Sequence, residues 1–215
     1  MTDKMTSYAM KIRRCLIREC VNTKSQQDKK NRIYDYVQRE LAYNSCKLDG
    51  NKLTRQQVRD MYHSEKIYST QMNEELRVND IIEIKNHFDV LSFLISDSEI
   101  KINFDLMVEL YDKYLDTVPF FDVEEIEYME REQPTNISKI ATYHSKLATQ
   151  YEENRTIVRL ISFLQCMNAR IIPFIIHAEN QLEYESRLAD PENLEKFFVM
   201  EQEQFFRDMA IILEN

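Results

Sequence analysis

The chain makes almost all of its turns without glycine. Gly50 is the single glycine among 215 residues, and there are four prolines. β-Hairpins and other tight turns rely on glycine because it adopts a left-handed backbone without the steric penalty that other residues meet. Helices, in contrast, begin and end with polar caps that any chain can supply. The sequence therefore predicts an all-α protein.

The hydrophobic pattern agrees with this prediction. Ile33, Val37 and Leu41 lie four residues apart, a spacing typical of one face of an amphipathic helix. Two longer stretches, residues 78–96 and 154–176, are apolar on more than one face, which predicts central and largely buried helices. The spacing predicts about eight helices. A chain of 215 residues suits one domain with a single hydrophobic core.

Several helix starts are marked by capping residues. Thr54 is followed three positions later by Gln57, the pattern of a capping box. Asn103 precedes an apolar repeat, and Asp190 stands before Pro191, a residue favoured in the first helical turn. We expect N-terminal helices over residues 1–40 and a helical core over residues 41–206.

Charge and composition exclude several classes of function. The net charge is −9; residues 1–40 carry ten basic and five acidic residues, so the remainder carries −14. An acidic body repels phosphates, which argues against a nucleic-acid partner. The sequence has no apolar run of the ~20 residues that a membrane span needs, and its start lacks the apolar region of a secretory signal. We therefore expect a cytoplasmic protein with no membrane partner.

The cysteines argue against a metal centre. Cys15, Cys20, Cys46 and Cys166 lack the paired CxxC spacing of structural zinc sites. We expect four reduced and mostly buried thiols.

The segment around the glycine, NSCKLDGNKLT at residues 44–54, resembles a known signature. The Fic (Fido) family of nucleotidyl transferases carries Ser-Ser-x-Ile-Glu-Gly-Asn-x-Leu-Thr before its catalytic core. The matching positions are Ser45, Leu48, Asp49, Gly50, Asn51, Leu53 and Thr54. We expect a helix that stops at Gly50 in a left-handed conformation and a new helix capped near Thr54.

Further stretches resemble the same family in the same order. EIKNHFDVLSFLI, with Asn86 and His87, is similar to its Asn-His helix, and YHSKLA to the stretch that leads into its active-site loop. NRTIVRLISFL is similar to the family's helix that follows this loop. The resemblance covers roughly residues 41–206, and it implies a Fic-like helical bundle.

The family transfers AMP, and in some members another phosphate-containing group, from a nucleotide to a protein hydroxyl. The resemblance implies a loop, His-Pro-Phe-x-Asp/Glu-Gly-Asn-Gly-Arg-x-x-Arg, in which each residue type has a chemical role. The histidine accepts the proton of the attacking hydroxyl, and the carboxylate holds Mg²⁺. The glycines let backbone N–H groups reach the phosphates, and the arginines neutralise the developing charge.

The corresponding run here, HSKLATQYEENRTIVRLI, lacks much of that pattern. It contains no glycine and no histidine after His144. The candidate bases are His144 and Tyr151. A tyrosine hydroxyl has an ordinary pKa near 10. Glu153, or its neighbour Glu152, is the candidate metal ligand. The candidate nucleotide-binding residues are Asn154, Arg155 and Arg159. His144 is also typical of a hydrogen-bonded core histidine.

Two further features follow from the resemblance. The family's substrate-docking hairpin would fall between residues 115 and 143, an acidic interval that reads helical, so we expect that hairpin to be reduced or absent. In family members with Ser-x-x-x-Glu-Gly, the glutamate reaches the last arginine of the loop and blocks productive nucleotide binding. Ser45, Asp49 and Gly50 match that inhibitory motif, and we expect Asp49 to pair with Arg159. Two separately solvated charges are the alternative.

Three functions remain open from the sequence. The first is a catalytically impaired Fic-like protein that acts by binding or regulating another protein. The second is an active AMP transferase that modifies protein hydroxyls with non-standard residues. The third is a structural helical protein with an accidental likeness. We expect a protein partner and no cofactor in the first case, and ATP with Mg²⁺ in the second; a homo-oligomer stays open in all three.

Overall fold

A computed structural model describes residues 2–22, 32–69, 75–96, 101–115, 130–152 and 155–214. These ranges contain nine α-helices, a 3₁₀ turn at Ala178–Asn180 and no strand, which confirms the all-α prediction. The helices are α1 (Thr2–Asn22), α2 (Ile33–Leu48), α3 (Arg55–Ser64), α4 (Val78–Ser96), α5 (Phe104–Leu115), α6 (Ile137–Gln150), α7 (Arg155–Ala169), α8 (Gln181–Arg187) and α9 (Pro191–Glu214).

The difference between nine helices and the expected eight is α8. Its seven residues are too few for a repeating apolar face to stand out in the sequence. The boundary expected between residues 40 and 41 lies inside α2, which runs through it as one helix. The interval expected to lack a docking hairpin falls mostly on residues 116–129, which lie outside the described residues.

Helix α7 is the central element. Every residue from Thr156 to Met167 is buried, as its all-round apolar pattern predicts. The helix ends at Ala169, however, so the expectation that it continues to residue 176 is wrong. It packs against α6 and also contacts α1, α2 and α4, while α9 packs against α6. Phe163 of α7 meets the ring edge of Phe205 of α9 at 6.2 Å between centroids, so these helices share one core.

Helix α4 is less buried than its sequence predicts. Val78 and Ile82 are 67% and 49% exposed, so the expectation of a central, largely buried helix is wrong for its first turns. From Ile84 onward the buried residues of α4 recur every three or four positions: Ile84, His87, Val90, Leu91, Leu94 and Ile95. That spacing places them on one face of the helix.

Two of the three left-handed positions among the described residues are not glycine. Gly50 has φ +93°, but Glu65 after α3 and Arg170 after α7 adopt φ 55° and 58°. The predicted caps are present: Thr54 and Gln57 form a capping box. Asn103 and Asp190 accept backbone N–H groups of the first turns of α5 and α9.

The cysteines partly match expectation. All four are free thiols; Cys46 and Cys166 are buried, whereas Cys15 and Cys20 are partly exposed. Among the helices that the structure describes, none combines the length and the apolar character needed to cross a membrane.

Candidate functional site

The joint between α2 and α3 directs a carboxylate onto α7. Asn51 N–H donates to Cys46 O at 3.0 Å, and Gly50 N–H donates to Lys47 O at 3.1 Å. These two bonds and the left-handed Gly50 form a Schellman motif, which ends α2 as the sequence predicts. Asp49 immediately precedes the turn, and its Oδ2 accepts a hydrogen bond from Thr156 Oγ1 at 2.5 Å.

Arg159 lies one turn further along α7 and is 3% exposed. Its Nη2 is 2.5 Å from Asp49 Oδ2, so the ion pair expected between Asp49 and Arg159 is present. Nη2 also donates to Ser45 O and Thr156 Oγ1, each at 2.9 Å, and Nε donates to Ser45 Oγ at 2.8 Å. We call Ser45, Asp49, Thr156 and Arg159 the arginine clamp. Whether it holds off a nucleotide, as the inhibitory motif implies, stays a prediction.

The clamp compensates a charge that is otherwise costly to bury. Burial alone lowers the pKa of Arg159, but the Asp49 carboxylate and the Tyr184 hydroxyl outweigh it, so the pKa is raised and the guanidinium stays charged. Nη1 has no hydrogen-bond partner within the described residues, yet solvent does not reach it. Asp49 has 26% of its side chain exposed, so solvent reaches the clamp at this carboxylate.

His144, a candidate base, is fully buried beside the clamp. Its Nδ1 lies 2.7 Å from Ser162 Oγ and its Nε2 lies 2.7 Å from Tyr184 OH. Since the Ser162 hydroxyl donates to Val158 O, His144 Nδ1–H donates to Ser162, and Nε2 accepts from Tyr184. Burial and the nearby Arg159 and Arg155 charges lower its pKa to about 3. His144 is therefore neutral and has both ring nitrogens occupied.

The remaining loop residues are described only in part. Tyr151 is 7% exposed and caps the end of α6 through its N–H, which donates to Leu147 O at 2.8 Å. Arg155 donates to Ala148 O at 3.1 Å and lies 3.8 Å from the exposed Glu152. Glu153 and Asn154, the candidate metal and nucleotide ligands, lie outside the described residues. Their roles, and those of Tyr151 and Arg155, stay predictions.

A second buried histidine lies on α4. His87 is 0% exposed, and neither ring nitrogen has a hydrogen-bond partner among the described residues. Burial and the Arg159 charge lower its pKa to about 3. His87 is thus a neutral buried side chain whose ring forms no hydrogen bond within the described residues.

Sequence reasoning missed three participants. Thr156 bridges Asp49 and Arg159, while Tyr184 and Ser162 hold His144. Thr156 stands three residues before Arg159, so helical spacing offered a signal for it. Tyr184 comes from α8, the helix that the sequence did not predict. No group of histidine, cysteine or acidic residues suited to a metal ion occurs in the part of the chain that the structure describes.

Comparisons with known proteins place the fold. No family model matches the sequence, and a search of curated proteins gives no match. A Fic domain-containing signaling protein from Bacteroides thetaiotaomicron matches with a TM-score of 0.68 at 17% identity, over 93% of this chain and 97% of that one. Two structures of Fic-1 from C. elegans give TM-scores of 0.68 and 0.66 at 18% identity, over 97% of this chain and 71% and 72% of theirs. The chain therefore has the Fic fold, as the resemblance implies.

Proposed function

We propose that this Fic-fold chain is catalytically impaired and acts by binding another protein. The observation that carries the proposal is the engagement of Arg159, the counterpart of the last arginine of the Fic loop. In that family, as the resemblance implies, this arginine neutralises charge on the transferred phosphate. Here Nε and Nη2 are bonded to Ser45, Asp49 and Thr156, and Nη1 is buried.

Two features of the described residues oppose an incoming phosphate. A phosphate oxygen has to replace the Asp49 carboxylate at 2.5 Å from Nη2, and until it does so the two anions repel each other. Arg155, the other candidate phosphate ligand, points its Nε at Ala148 O. The engagement of both arginines supports the proposal that the chain does not hold a nucleotide phosphate.

The groups that have to move a proton are also poorly placed. A general base must come within hydrogen-bond reach of the substrate hydroxyl. His144 is enclosed, with Tyr184 and Ser162 on its two nitrogens, and Tyr151 is buried at the end of α6. The run from residue 145 to residue 176 contains neither histidine nor glycine, so it supplies no other imidazole and no easy left-handed positions for a phosphate cradle.

Incubation with labelled ATP and Mg²⁺ tests the catalytic half of the proposal. We expect no transfer to protein hydroxyls from the unmodified chain, and none from Asp49→Ala, in which the clamp carboxylate is removed. Transfer by either protein that disappears on Glu153→Ala would instead establish an active transferase with non-standard residues. Arg59→Gln, an exposed change on α3, is the matched control because it touches neither the clamp nor the loop.

The binding half has its own test. We expect the chain, isolated at physiological salt from the cells that make it, to carry a second protein in fixed stoichiometry, measured by native mass spectrometry. A complex that persists in Arg155→Ala, a variant altered in the loop, would support a role that does not depend on catalysis. Recovery of the chain alone, or only as copies of itself, would contradict this half.

A further inference from the structure

An apolar groove lies on the face formed by the starts of α1 and α6, the turn after α7 and the middle of α9. Its volume is about 580 Å³, within the range of small-molecule sites. The apolar lining consists of Met5, Ile137, Ile171, Ile172, Val199 and Phe206. Met5 and Val199 are 43% and 39% exposed, so the groove is open to solvent although its walls are apolar.

Two cations stand in this apolar lining. Arg170 and Arg207 form no ion pair within the described residues, and Arg207 donates only to the neutral Gln204, at 2.9 Å. One carboxylate, Glu203, also lines the groove, so the charged lining sums to +1 from two arginines and one glutamate. The chain as a whole carries −9. The groove is therefore a locally positive site on an acidic protein.

The backbone around the groove adds to this polarity. Arg170 takes a left-handed conformation, φ 58°, which reverses the chain after α7 and brings the residue onto the groove lining. Asn136, the N-cap of α6, lies in the same lining, so the positive end of the α6 dipole faces this region. Gln202 donates to Ile172 O and ties the turn to α9.

We propose that this groove binds a small amphiphile with an aliphatic body and one carboxylate, of the fatty-acid class. The apolar walls bury the aliphatic part. The guanidinium groups of Arg170 and Arg207, which form no ion pair within the described residues, take the carboxylate by charge-assisted hydrogen bonds. A second copy of the chain is the wrong occupant, because a two-fold contact sets the same positive patch against itself. This site is independent of the clamp and of the function proposed above.

Titration calorimetry of the full chain with decanoate, below its micelle concentration, tests the proposal. We expect saturable binding of one decanoate per chain, and binding of the neutral decanamide about tenfold weaker because the charge-assisted bonds are absent. The double variant Arg170→Gln with Arg207→Gln should bind decanoate no better than decanamide. Val199→Glu, an exposed change that places a carboxylate in the groove, should abolish binding while circular dichroism stays unchanged. Arg59→Gln, another exposed and unpaired arginine, should bind as the unmodified chain does.

Several results would overturn the assignment. They are equal affinity for decanoate and decanamide, an equal loss in Arg59→Gln, and no saturable decanoate binding at all. Light scattering supplies a separate check: a dimer that Val199→Glu converts to a monomer would show that a second copy, not an amphiphile, covers the groove.

Discussion

The joint after α2 and the loop before α7 are parts of one resemblance, yet they differ in what the structure does with them. At the joint, Gly50 makes the expected turn, and Asp49 at the end of α2 pairs with Arg159 of α7. At the loop, Tyr151 is buried and Arg155 bonds a backbone carbonyl. The contrast shows that motif residues which also fasten helices together have a structural reason to be present. Of the loop residues that the structure describes, Tyr151 and Arg155 donate to backbone carbonyls of α6.

The largest difference between the two regions is expected when one arginine is removed from each. Arg159→Ala deletes the buried partner of Asp49 and leaves Ser45 and Thr156 without their donor, so we expect a loss of about 3–5 kcal/mol in the free energy of unfolding. Arg155→Ala removes one bond to a carbonyl and a long, exposed ion pair, and should cost about 1 kcal/mol. Urea denaturation of both variants measures the difference. Equal losses would mean that the clamp contributes no more than the loop.

The two buried histidines should make the free energy of unfolding depend on pH. Both have a folded pKa of about 3 against 6.5 for an unperturbed histidine. The unfolded state therefore binds more protons between these values, and stability, complete above pH 6.5, is lost as the pH falls. Between pH 7 and pH 5 we expect a loss of about 2 kcal/mol per histidine. His177 acts in the opposite sense, because Glu201 raises its pKa against the effect of burial. Urea denaturation of the unmodified chain and of His87→Leu and His144→Leu across this range therefore isolates the share of the two buried histidines. A slope that is unchanged in both variants would contradict the burial of two neutral imidazoles.

Substitution separates the two histidines. His144→Leu removes the two hydrogen bonds that join His144 to Ser162 and Tyr184, so at pH 7 it should cost about 2 kcal/mol. His87→Leu removes a ring whose nitrogens have no partner among the described residues, and should be close to neutral. Both variants should lose their share of the pH slope. A larger cost for His87→Leu than for His144→Leu would reverse the roles given to them here.

The smallest expected effect concerns the lone glycine. A Cβ at Gly50 would meet no atom within 4 Å, so any penalty comes from its φ of +93° alone. Gly50→Ala should therefore cost about 1 kcal/mol. Lys52→Ala, an exposed change two residues later, is the matched control. A thermal-unfolding midpoint for Gly50→Ala equal to that of the control would show that the turn does not need glycine.

Much of the fold follows from local sequence signals. The scarcity of glycine predicts helices, and the caps at Thr54, Asn103 and Asp190 predict where three of them begin. These signals succeed because each cap satisfies backbone groups only two or three residues away. The first turns of α4 were predicted wrongly because an apolar residue such as Val78 does not reveal whether a neighbouring helix lies over it.

The site was less predictable than the fold. The Asp49–Arg159 pair was expected only because both positions matched a known motif. The bonds between His144 and Tyr184 join α6 to α8, forty residues apart, and no local spacing encodes such a contact. The left-handed Arg170 was also missed, because a chain with one glycine must place other residues in that conformation, and the sequence does not mark which ones.

The most direct test of the account is a calorimetric titration of the full chain with ATP and Mg²⁺. We expect no saturable heat up to about 1 mM nucleotide, because Arg159 is held by Asp49 and the loop has no glycine. Binding at that concentration is worth only about 4 kcal/mol. Saturable binding below that concentration, lost in Arg155→Ala but kept in Arg59→Gln, would contradict this expectation.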